Sequence, residues 1–486
     1  PLPLTEQYLE LGGKRMVSRS KLLLTVGLFG LCGLFGLFRG AGYAQQPPAR
    51  RPANASAPVP VPPQAQAMLP PATSPVYPTL TLDRAEAIAL KNHPQIQYAR
   101  YNALASDQIV REIRSAYYPT VFGSITGSGA GHDTRLGAGF LSVSRLWNRL
   151  GTGLTIDQLI TDSGRTPNLV ANSRLKAEAA REDVFTSRYD VLLAVNQAYF
   201  DVLRAEALLK VAQKTVGERQ VVVDQVSAMV KNQLKSKLDL SFVNVNLAEA
   251  QLVEISAQDN VEKSFAELSR ALGTSRLQEY ALEDPPLPLP PPSSSEDLVI
   301  QALANRPELA SLRFSREAAY KLRKAERDLS FPTITAEGDA GFIPAIAQLT
   351  FPSIVPNHYE AAAVNVNVPV FNGYQFAARR TEAMMQARAS DEKLRDMEDQ
   401  VARDVRAAWA GATTGYQRIA VSQQLLDESR MAMALAQGRY NLGLGSIVEL
   451  TQGQLSELQA EIQNVNSKYD YQIQNAVLQY QVGDLK

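Results

Sequence analysis

Small and apolar side chains recur at alternating spacings of four and three residues along two long stretches of the chain. In the first stretch they are Val191, Val195, Ala198, Val202, Ala205, Leu209, Ala212 and Val216. In the second they are Val401, Val405, Ala408, Ala412, Gly415, Ile419, Ser422 and Leu426. A mean spacing of about 3.5 residues is typical of a coiled-coil seam. The pattern predicts long, closely packed helices, and the first, from about Asn168 to Lys231, would be roughly 95 Å long.

A two-residue alternation predicts four strands. It is clearest from Ala363 to Val370, where every second side chain is valine, and weaker forms begin near Val121, Leu150 and Thr333. A strand with one apolar and one polar face suits a sheet between lipid and water. A soluble sheet with one face on a protein core shows the same alternation. On the first interpretation the side chains that face lipid are Val364, Val366 and Val368.

The whole arrangement occurs twice along the chain. Asn92-His93-Pro94 recurs as Asn305-Arg306-Pro307, and Tyr118-Pro119 recurs as Phe331-Pro332, both 213 residues later, after which the offset becomes 210 residues. A nearly constant offset indicates two copies of one unit, each with a helix, two strands and a long helical hairpin. We place the copies at residues 80–284 and 296–486, joined by a proline-rich linker at 285–295.

Residues 1–44 have the composition of a secretory signal peptide. Basic residues precede an apolar run from Leu22 to Phe38, and small residues follow it. Met16 would start a compact signal, so the residues before it are expected to be an over-long start. The rival interpretation is a retained transmembrane anchor, for which the run is at the short limit. Residues 45–79, rich in proline and alanine, are predicted to form an extended leader.

Composition limits the chemistry that the chain can carry. Its 486 residues include 49 basic and 49 acidic side chains, so the formal charge is zero and a nucleic-acid partner is not indicated. The single cysteine, Cys32, excludes an internal disulfide and a multi-cysteine metal cluster. His132 and His358 flank the predicted outer loops, but no acid completes a metal-ligand spacing. We expect no enzyme activity, no cofactor and no metal site.

Four strands cannot close a barrel. Inside lipid an open sheet edge costs roughly several kcal/mol for each unsatisfied backbone group. If these strands meet lipid, copies of the chain must associate, and a ring of three supplies twelve strands, enough to leave a lumen. The long helices would then extend the ring as a tunnel. The rival of another class is a soluble periplasmic coiled-coil scaffold whose small sheet packs on its own helices.

The order of these features resembles the TolC-like outer-membrane efflux protein family. The resemblance rests on the duplication, the aromatic-proline junctions, Phe371-Asn372-Gly373 after the last strand, and the run from Gly438-Arg439-Tyr440 to Glu449-Leu450. It implies a mainly α fold with a transmembrane β part, in which a trimeric twelve-stranded barrel with four strands per chain continues into a periplasmic barrel of long coiled-coil helices. It also implies an outer-membrane location, a homotrimer, and assembly with a periplasmic adaptor and an inner-membrane pump, as the duct of an efflux or secretion system.

The turns between the long helices are the first candidate sites. Asn441 to Ser446 contains two glycines for a tight reversal, and Ser446 with Glu449 has the spacing of a capping box, as have Ser236 and Asp239 in the first copy. One interpretation is that these residues only turn the chain and cap the helices. In the resembled family such turns form the periplasmic tips that meet the adaptor, which implies docking by Lys235, Ser236, Asp239, Arg439, Tyr440, Gly443 and Ser446.

A second candidate site lies just beyond the second turn. The family often narrows its tunnel with rings of carboxylates on the last helix, and the resemblance places Glu449 at the first acid and Gln452 at the second. Gly445 stands where some relatives carry a latching arginine. Because Gln452 and Gly445 depart from the family pattern, the resemblance does not extend to an ion-pair latch in this chain. The sequence leaves the cargo open among drugs, metal ions, solvents and polypeptides.

Overall fold

The computed structural model of the protein describes residues 78–128, 135–136, 144–145, 149–274, 280–342 and 358–485. These residues belong to one compact unit, Thr73–Lys486. The predicted signal peptide, nearly all of the predicted leader, and His132 lie outside the described residues, so those predictions stay predictions.

Helices dominate both repeats and follow one another in the same order. The first repeat contains α1 (Leu82–Asn92), α2 (Pro94–Arg114), α3 (Arg165–Lys231) and α4 (Lys237–Ala271). The second repeat contains α5 (Glu296–Asn305), α6 (Pro307–Asp328), α7 (Gln375–Asn441) and α8 (Ile447–Val482). A short 3-10 turn, Ser115–Tyr117, follows α2. The two longest helices, α3 and α7, have 67 residues each.

The single helix that we expected at the start of each repeat is two helices. The break falls at His93 in the first repeat and at Arg306 in the second, each immediately before a proline. Proline lacks an N–H group and disfavours helical geometry in the residue before it. Gly273, at φ +71°, packs so closely on this break that a Cβ there would lie 2.8 Å from the Cα of His93.

Four strands form the main sheet, and four two-residue strands form two further pairs. The main strands are β2 (Thr120–Ser128), β5 (Arg149–Thr161), β7 (Thr333–Phe342) and β8 (His358–Asn367). The short ones are β1 (Thr79–Leu80), β3 (Arg135–Leu136), β4 (Ser144–Arg145) and β6 (Ala281–Leu282). The main sheet is antiparallel in the order β2-β5-β7-β8, while β1 pairs with β6 and β3 with β4.

The last main strand ends earlier than the valine pattern predicts. β8 ends at Asn367, so Val368 and Val370 lie beyond the strand, and only Val364 and Val366 of the predicted lipid-facing set are within it. Pro369 has no N–H to donate to a neighbouring strand, which accounts for the end of the ladder. At its other end the strand begins at His358, ahead of the predicted start.

The predicted coiled-coil seam lies in the protein core. Val195, Val202, Val405 and Ala412 have no exposed surface, and most other members of both sets are buried. Leu209, Val216, Gly415 and Ile419 are only partly buried. Seam residues of α3 share a core cluster with residues of α1 and α4, and seam residues of α7 share one with residues of α5 and α8. The helices α3 and α4, and likewise α7 and α8, pack along each other as two long hairpins.

Strands and helices share one lateral order. Next to the sheet, the helices lie in the order α2-α3-α6-α7, and each is joined end to end with the strand of the same rank in β2-β5-β7-β8. Among the described residues, β2 and β8 each pair with one strand only. Both layers therefore end on the same two sides, with α2 and β2 on one and α7 and β8 on the other.

Candidate functional site

The turns of the two long hairpins lie together at the end of the molecule away from the sheet. We define the tip as residues 231–240 and 439–450. One apolar cluster next to the turns connects the two hairpins, with these members: Val222, Val226, Val243, Tyr440, Ile447 and Leu450. The predicted docking residues, which come from two repeats, are thus brought to one place.

Polar contacts also connect the two halves of the tip. The ammonium group of Lys235 lies 4.6 Å from the ring centre of Tyr440, a cation–π distance. Near the tip, Gln225 donates from Nε2 to Oδ1 of Asn441 at 3.2 Å, and Asn246 donates from Nδ2 to Oγ1 of Thr451 at 3.1 Å. These contacts hold the hairpin of the first repeat against that of the second.

Tyr440 is the buried centre of the tip. Its side chain is 1% exposed, and its hydroxyl group has no hydrogen-bond partner among the described residues. Burial, followed by the negative charge of Asp239, raises the pKa of Tyr440. Its ring therefore serves packing and the contact with Lys235.

The first turn is closed by a complete capping box. The Asp239 amide donates to Oγ of Ser236 at 3.2 Å, and the Ser236 amide donates to Oδ2 of Asp239 at 3.2 Å. This is the arrangement that the sequence predicts. The left-handed residue of the turn is Gln233, at φ +61°. Its conformation is one that non-glycine residues seldom adopt.

The second turn has the same backbone with different side-chain contacts. Gly443 takes the left-handed position at φ +73°, and the Glu449 amide donates to Oγ of Ser446 at 3.2 Å. The Glu449 carboxylate accepts from Nε of Arg439 at 2.9 Å. The predicted capping box is therefore only half formed here, because the arginine holds the acid that would complete it.

Glu449 and Gln452, the predicted constriction residues, are both exposed in the single chain. Glu449 is engaged by Arg439, and the Arg439 guanidinium also donates to the carbonyl oxygen of Leu444 at 3.4 Å. The ion pair is confined to the second turn. It neutralises the one predicted constriction residue that carries charge.

Sequence reasoning missed a group of exposed apolar side chains at the tip. Each of them is more than half exposed: Leu234, Leu238, Leu442, Leu444 and Val448. Leu442, next to Gly443, is 75% exposed. The signal was available, since leucines directly within a glycine turn have no helix face to bury them. Exposed apolar patches mark interaction surfaces.

The sheet exposes one apolar face. Its register aligns Val121, Ile156, Gly338 and Ala362 across the four strands on the same side. On this side Ile125 is 80% exposed and Val364 and Val366 are 66% and 59% exposed. The rival interpretation, a soluble scaffold whose small sheet packs on its own helices, is therefore wrong for the described residues.

The opposite face of the sheet is polar and bonded across strands. The Thr155 hydroxyl donates to Oδ1 of Asp339 at 2.6 Å, and Asn365 donates from Nδ2 to Oε2 of Glu337 at 3.2 Å. Such a two-faced sheet can separate an apolar phase from water.

The sequence profile described as outer membrane efflux protein matches residues 87–274 and again 298–484. The two matches cover most of the chain and coincide with its duplicated architecture.

The chain belongs to the outer membrane efflux protein family.

Individual family members are distant in sequence. The outer membrane efflux protein BepC of Brucella suis is 20% identical over 395 residues, which cover 80% of this chain and 82% of BepC. The alkaline protease secretion protein AprF of Pseudomonas aeruginosa is 24% identical over 414 residues, covering 82% and 83% of the two chains. TolC of Escherichia coli is 19% identical over 406 residues, covering 81% and 80%.

Solved structures share the fold. CusC superposes with a TM-score of 0.72 at 19% identity, covering 83% of this chain and 92% of CusC. The outer membrane protein VceC of Vibrio cholerae gives a TM-score of 0.70 at 16% identity, covering 83% and 96% of the two chains. The predicted mainly α fold with two repeats and a four-stranded β part is therefore confirmed, and the trimeric barrel stays a prediction.

Family membership also confirms the predicted outer-membrane location and the predicted role as an efflux channel. None of the helices in the described ranges combines the length and the hydropathy needed to cross a bilayer. Over the same ranges, no three His, Cys, Asp or Glu side chains come together in a way that could hold a metal ion.

Proposed function

We propose that three copies of this outer membrane efflux protein form one continuous duct, which passes cargo from a periplasmic adaptor and an inner-membrane pump to the exterior. The observation that carries this proposal is the common lateral order of strands and helices. Both layers stop at the same two sides, so a single rotation that joins β8 to the β2 of the next copy also joins α7 to the next α2. Three copies supply twelve strands and twelve helices around one bore.

The free helical sides are suited to such a junction. On α2, Tyr98 and Tyr101 are 69% and 67% exposed, and Ile109 follows them along the helix. On α7, Met385 is about half exposed. Contact between α2 of one copy and α7 of the next would cover these side chains. Burial of apolar area contributes about 25 cal/mol per Å².

Closure would also satisfy the sheet edges. Each unpaired N–H or C=O group within lipid costs roughly several kcal/mol, so an open four-stranded sheet cannot remain in a bilayer. In the ring, the apolar face with Val364 and Val366 would contact lipid, and the polar face with Glu337 and Asp339 would line the bore. Val368, beyond the strand, would lie at the boundary.

The tip is the proposed docking surface for the adaptor. Its turns combine the predicted residues Lys235, Ser236, Asp239, Arg439, Tyr440, Gly443 and Ser446. The exposed leucines support the proposal, because they leave apolar area that the chain itself does not cover. We assign Glu449 and Gln452 to the narrow entrance of the duct, where the Arg439–Glu449 pair would set the local charge.

A pair of arginine substitutions on neighbouring residues tests the duct. Val364→Arg puts a charge on the apolar face, nearer the middle of β8 than Val366, and should cost up to about 2–4 kcal/mol, the cost at the bilayer midplane. Asn365→Arg, the control, puts the same charge on the polar face. We expect Val364→Arg to abolish trimers in outer-membrane extracts analysed by native electrophoresis, while Asn365→Arg retains them. Equal trimer yields, or a wild-type chain that is a soluble monomer without detergent, would refute the proposal.

A further inference from the structure

The tip is basic in a chain whose total charge is zero. Its charged side chains are four basic and two acidic, namely Lys231, Lys235, Lys237, Arg439, Asp239 and Glu449, which gives a net charge of +2 per copy. In the trimer proposed above, the tips together would carry +6 within one ring. A field of this size attracts acidic groups and repels basic ones.

Both acids of the tip are already engaged by the tip itself. Asp239 completes the cap of the first turn with Ser236. Glu449 accepts from Arg439. Neither carboxylate forms an ion pair with a lysine of the first turn among the described residues.

Two of the lysines have no ionic partner. Lys231 and Lys237 are exposed, and neither ammonium group takes part in an ion pair within the described ranges. They lie at the last residue of α3 and the first residue of α4, on either side of the first turn. Lys235, between them, contacts the ring of Tyr440.

Apolar side chains surround these charges. Leu234 and Leu238 alternate with the lysines on the first turn, and Leu442 and Leu444 cover the second turn. A surface of exposed leucines beside unpaired ammonium groups is complementary to one that presents apolar side chains beside carboxylates.

We propose that the tip binds a protein partner whose contact surface is acidic and apolar, with carboxylates opposite Lys231 and Lys237 and apolar side chains over Leu442 and Leu444. The inference rests on the proposed adaptor docking and specifies the chemistry of the adaptor. A second copy of this chain, tip to tip, would bring lysines against lysines, so the charge disfavours it.

The test uses the full-length protein in its own cells. A photoreactive amino acid replaces Leu442, cells are irradiated, and the adducts with other envelope proteins are quantified and their contacted segments identified by mass spectrometry. The same experiment is done with Lys231→Glu/Lys237→Glu, with the neutral pair Lys231→Gln/Lys237→Gln, and with the control Lys210→Glu/Lys263→Glu. The control reverses two exposed lysines, one on α3 and one on α4, away from the tip.

We expect an adduct whose contacted segment contains Asp or Glu beside apolar residues. Its yield should fall about tenfold with the glutamate pair and by less with the glutamine pair, and it should be unchanged in the control. Trimer yield, measured in parallel, should be the same in all four proteins.

Two results would overturn the proposal in distinguishable ways. If the adduct forms with a neutral or basic segment, or survives the glutamate pair undiminished, the partner is not acidic and docking at the tip still stands. If trimers form but the only adduct is with another copy of the chain or with lipid, or no adduct forms, the tip is not the adaptor surface.

Discussion

The two turns of the tip have one backbone and two different sets of side chains. Gln233 and Gly443 occupy equivalent positions 210 residues apart, and both are left-handed. Ser236 and Ser446 both cap the following helix. Beyond this frame the turns differ, since the first carries three lysines near its ends and the second carries glycines and leucines. The two repeats therefore have the same turn geometry but different side chains on it.

The same contrast holds at the helix break of each repeat. His93 in the first repeat accepts a hydrogen bond at Nδ1 from the Gln95 amide at 3.3 Å. Arg306 in the second repeat is 7% exposed and binds Glu308 at 2.7 Å and Gln481 at 2.8 Å. A local cap in one copy corresponds to a buried ionic network in the other. Equivalent positions should therefore respond differently to the same substitution.

Alanine at the two breaks should give the largest difference. Arg306→Ala leaves the half-buried Glu308 without its cation, which should destabilise α5 and α6 by about 3 kcal/mol. His93→Ala removes only a cap, at about 1 kcal/mol. Native-state hydrogen exchange of the amides in each helix pair would measure both costs. Equal costs would mean that the Arg306 network adds nothing beyond a cap.

Substitutions at the two left-handed positions, Gln233 and Gly443, should have the next largest effect on stability. Gly443→Val forces a β-branched residue to φ +73° and should cost about 1–2 kcal/mol, and the cost is confined to the backbone because no atom lies within 4 Å of the added Cβ. Gln233→Gly should stabilise the first turn by about 0.5 kcal/mol, since relief of strain exceeds the added chain entropy. Hydrogen exchange at the amides of the two turns would show whether each substitution stabilises or destabilises its turn. If Gln233→Gly destabilises the first turn, Gln233 is not strained at its left-handed position as Gly443 would be after substitution.

Removal of the two turn acids should give a smaller difference. Asp239→Ala opens a complete capping box and should cost the start of α4 about 1 kcal/mol. Glu449→Ala removes an exposed ion pair and should cost the start of α8 about 0.5 kcal/mol or less. Hydrogen exchange of the amides in the first helical turns of α4 and α8 would measure the two costs separately. The reverse order would mean that the Arg439–Glu449 pair is the stronger closure.

The pH response of His93 is the smallest expected effect. Burial, and then the charge of Arg270, lower the pKa of His93. The unfolded chain therefore binds a proton more readily than the folded one, so the stabilisation is present above the unfolded pKa of about 6.5 and is lost as pH falls below it. His93→Asn retains a cap without titrating there. Wild type should lose more stability than His93→Asn between about pH 7.5 and pH 5, and identical pH profiles would refute the assignment.

Features that repeat along the chain could be predicted from the sequence. The seam residues, the four main strands, the positions of both turns and the Ser236–Asp239 box all follow from periodicity or spacing, which record local geometry. Thr81 likewise caps α1 as a sequence signal would require, accepting from the Arg84 amide at 3.3 Å. The two-residue strands β1 and β6 were missed because such short strands have no period.

The features that could not be predicted from the sequence depend mainly on contacts between residues that are not related by a regular spacing. Lys235 meets Tyr440 across the two repeats, and Arg439 reaches Glu449 around a turn, so neither contact has a characteristic spacing. Leu234, Leu442 and Leu444 were overlooked although they lie in the turns, whereas Leu238 and Val448 lie in helices, where apolar residues are ordinarily assigned to the core. The helix break at His93 was overlooked although Pro94 marks it.

The end-to-end union of each main strand with its own helix has a mechanical consequence for the assembled duct. In the proposed trimer, a lateral gap between copies would have to part the membrane wall and the upper periplasmic wall together, along the roughly 30 Å of α2 that would face α7. The upper part of the proposed duct would thereby be held at one diameter. Any widening would have to come from the lower half, where α4 and α8 replace α2 and α6 and where no strand of the described residues restrains them.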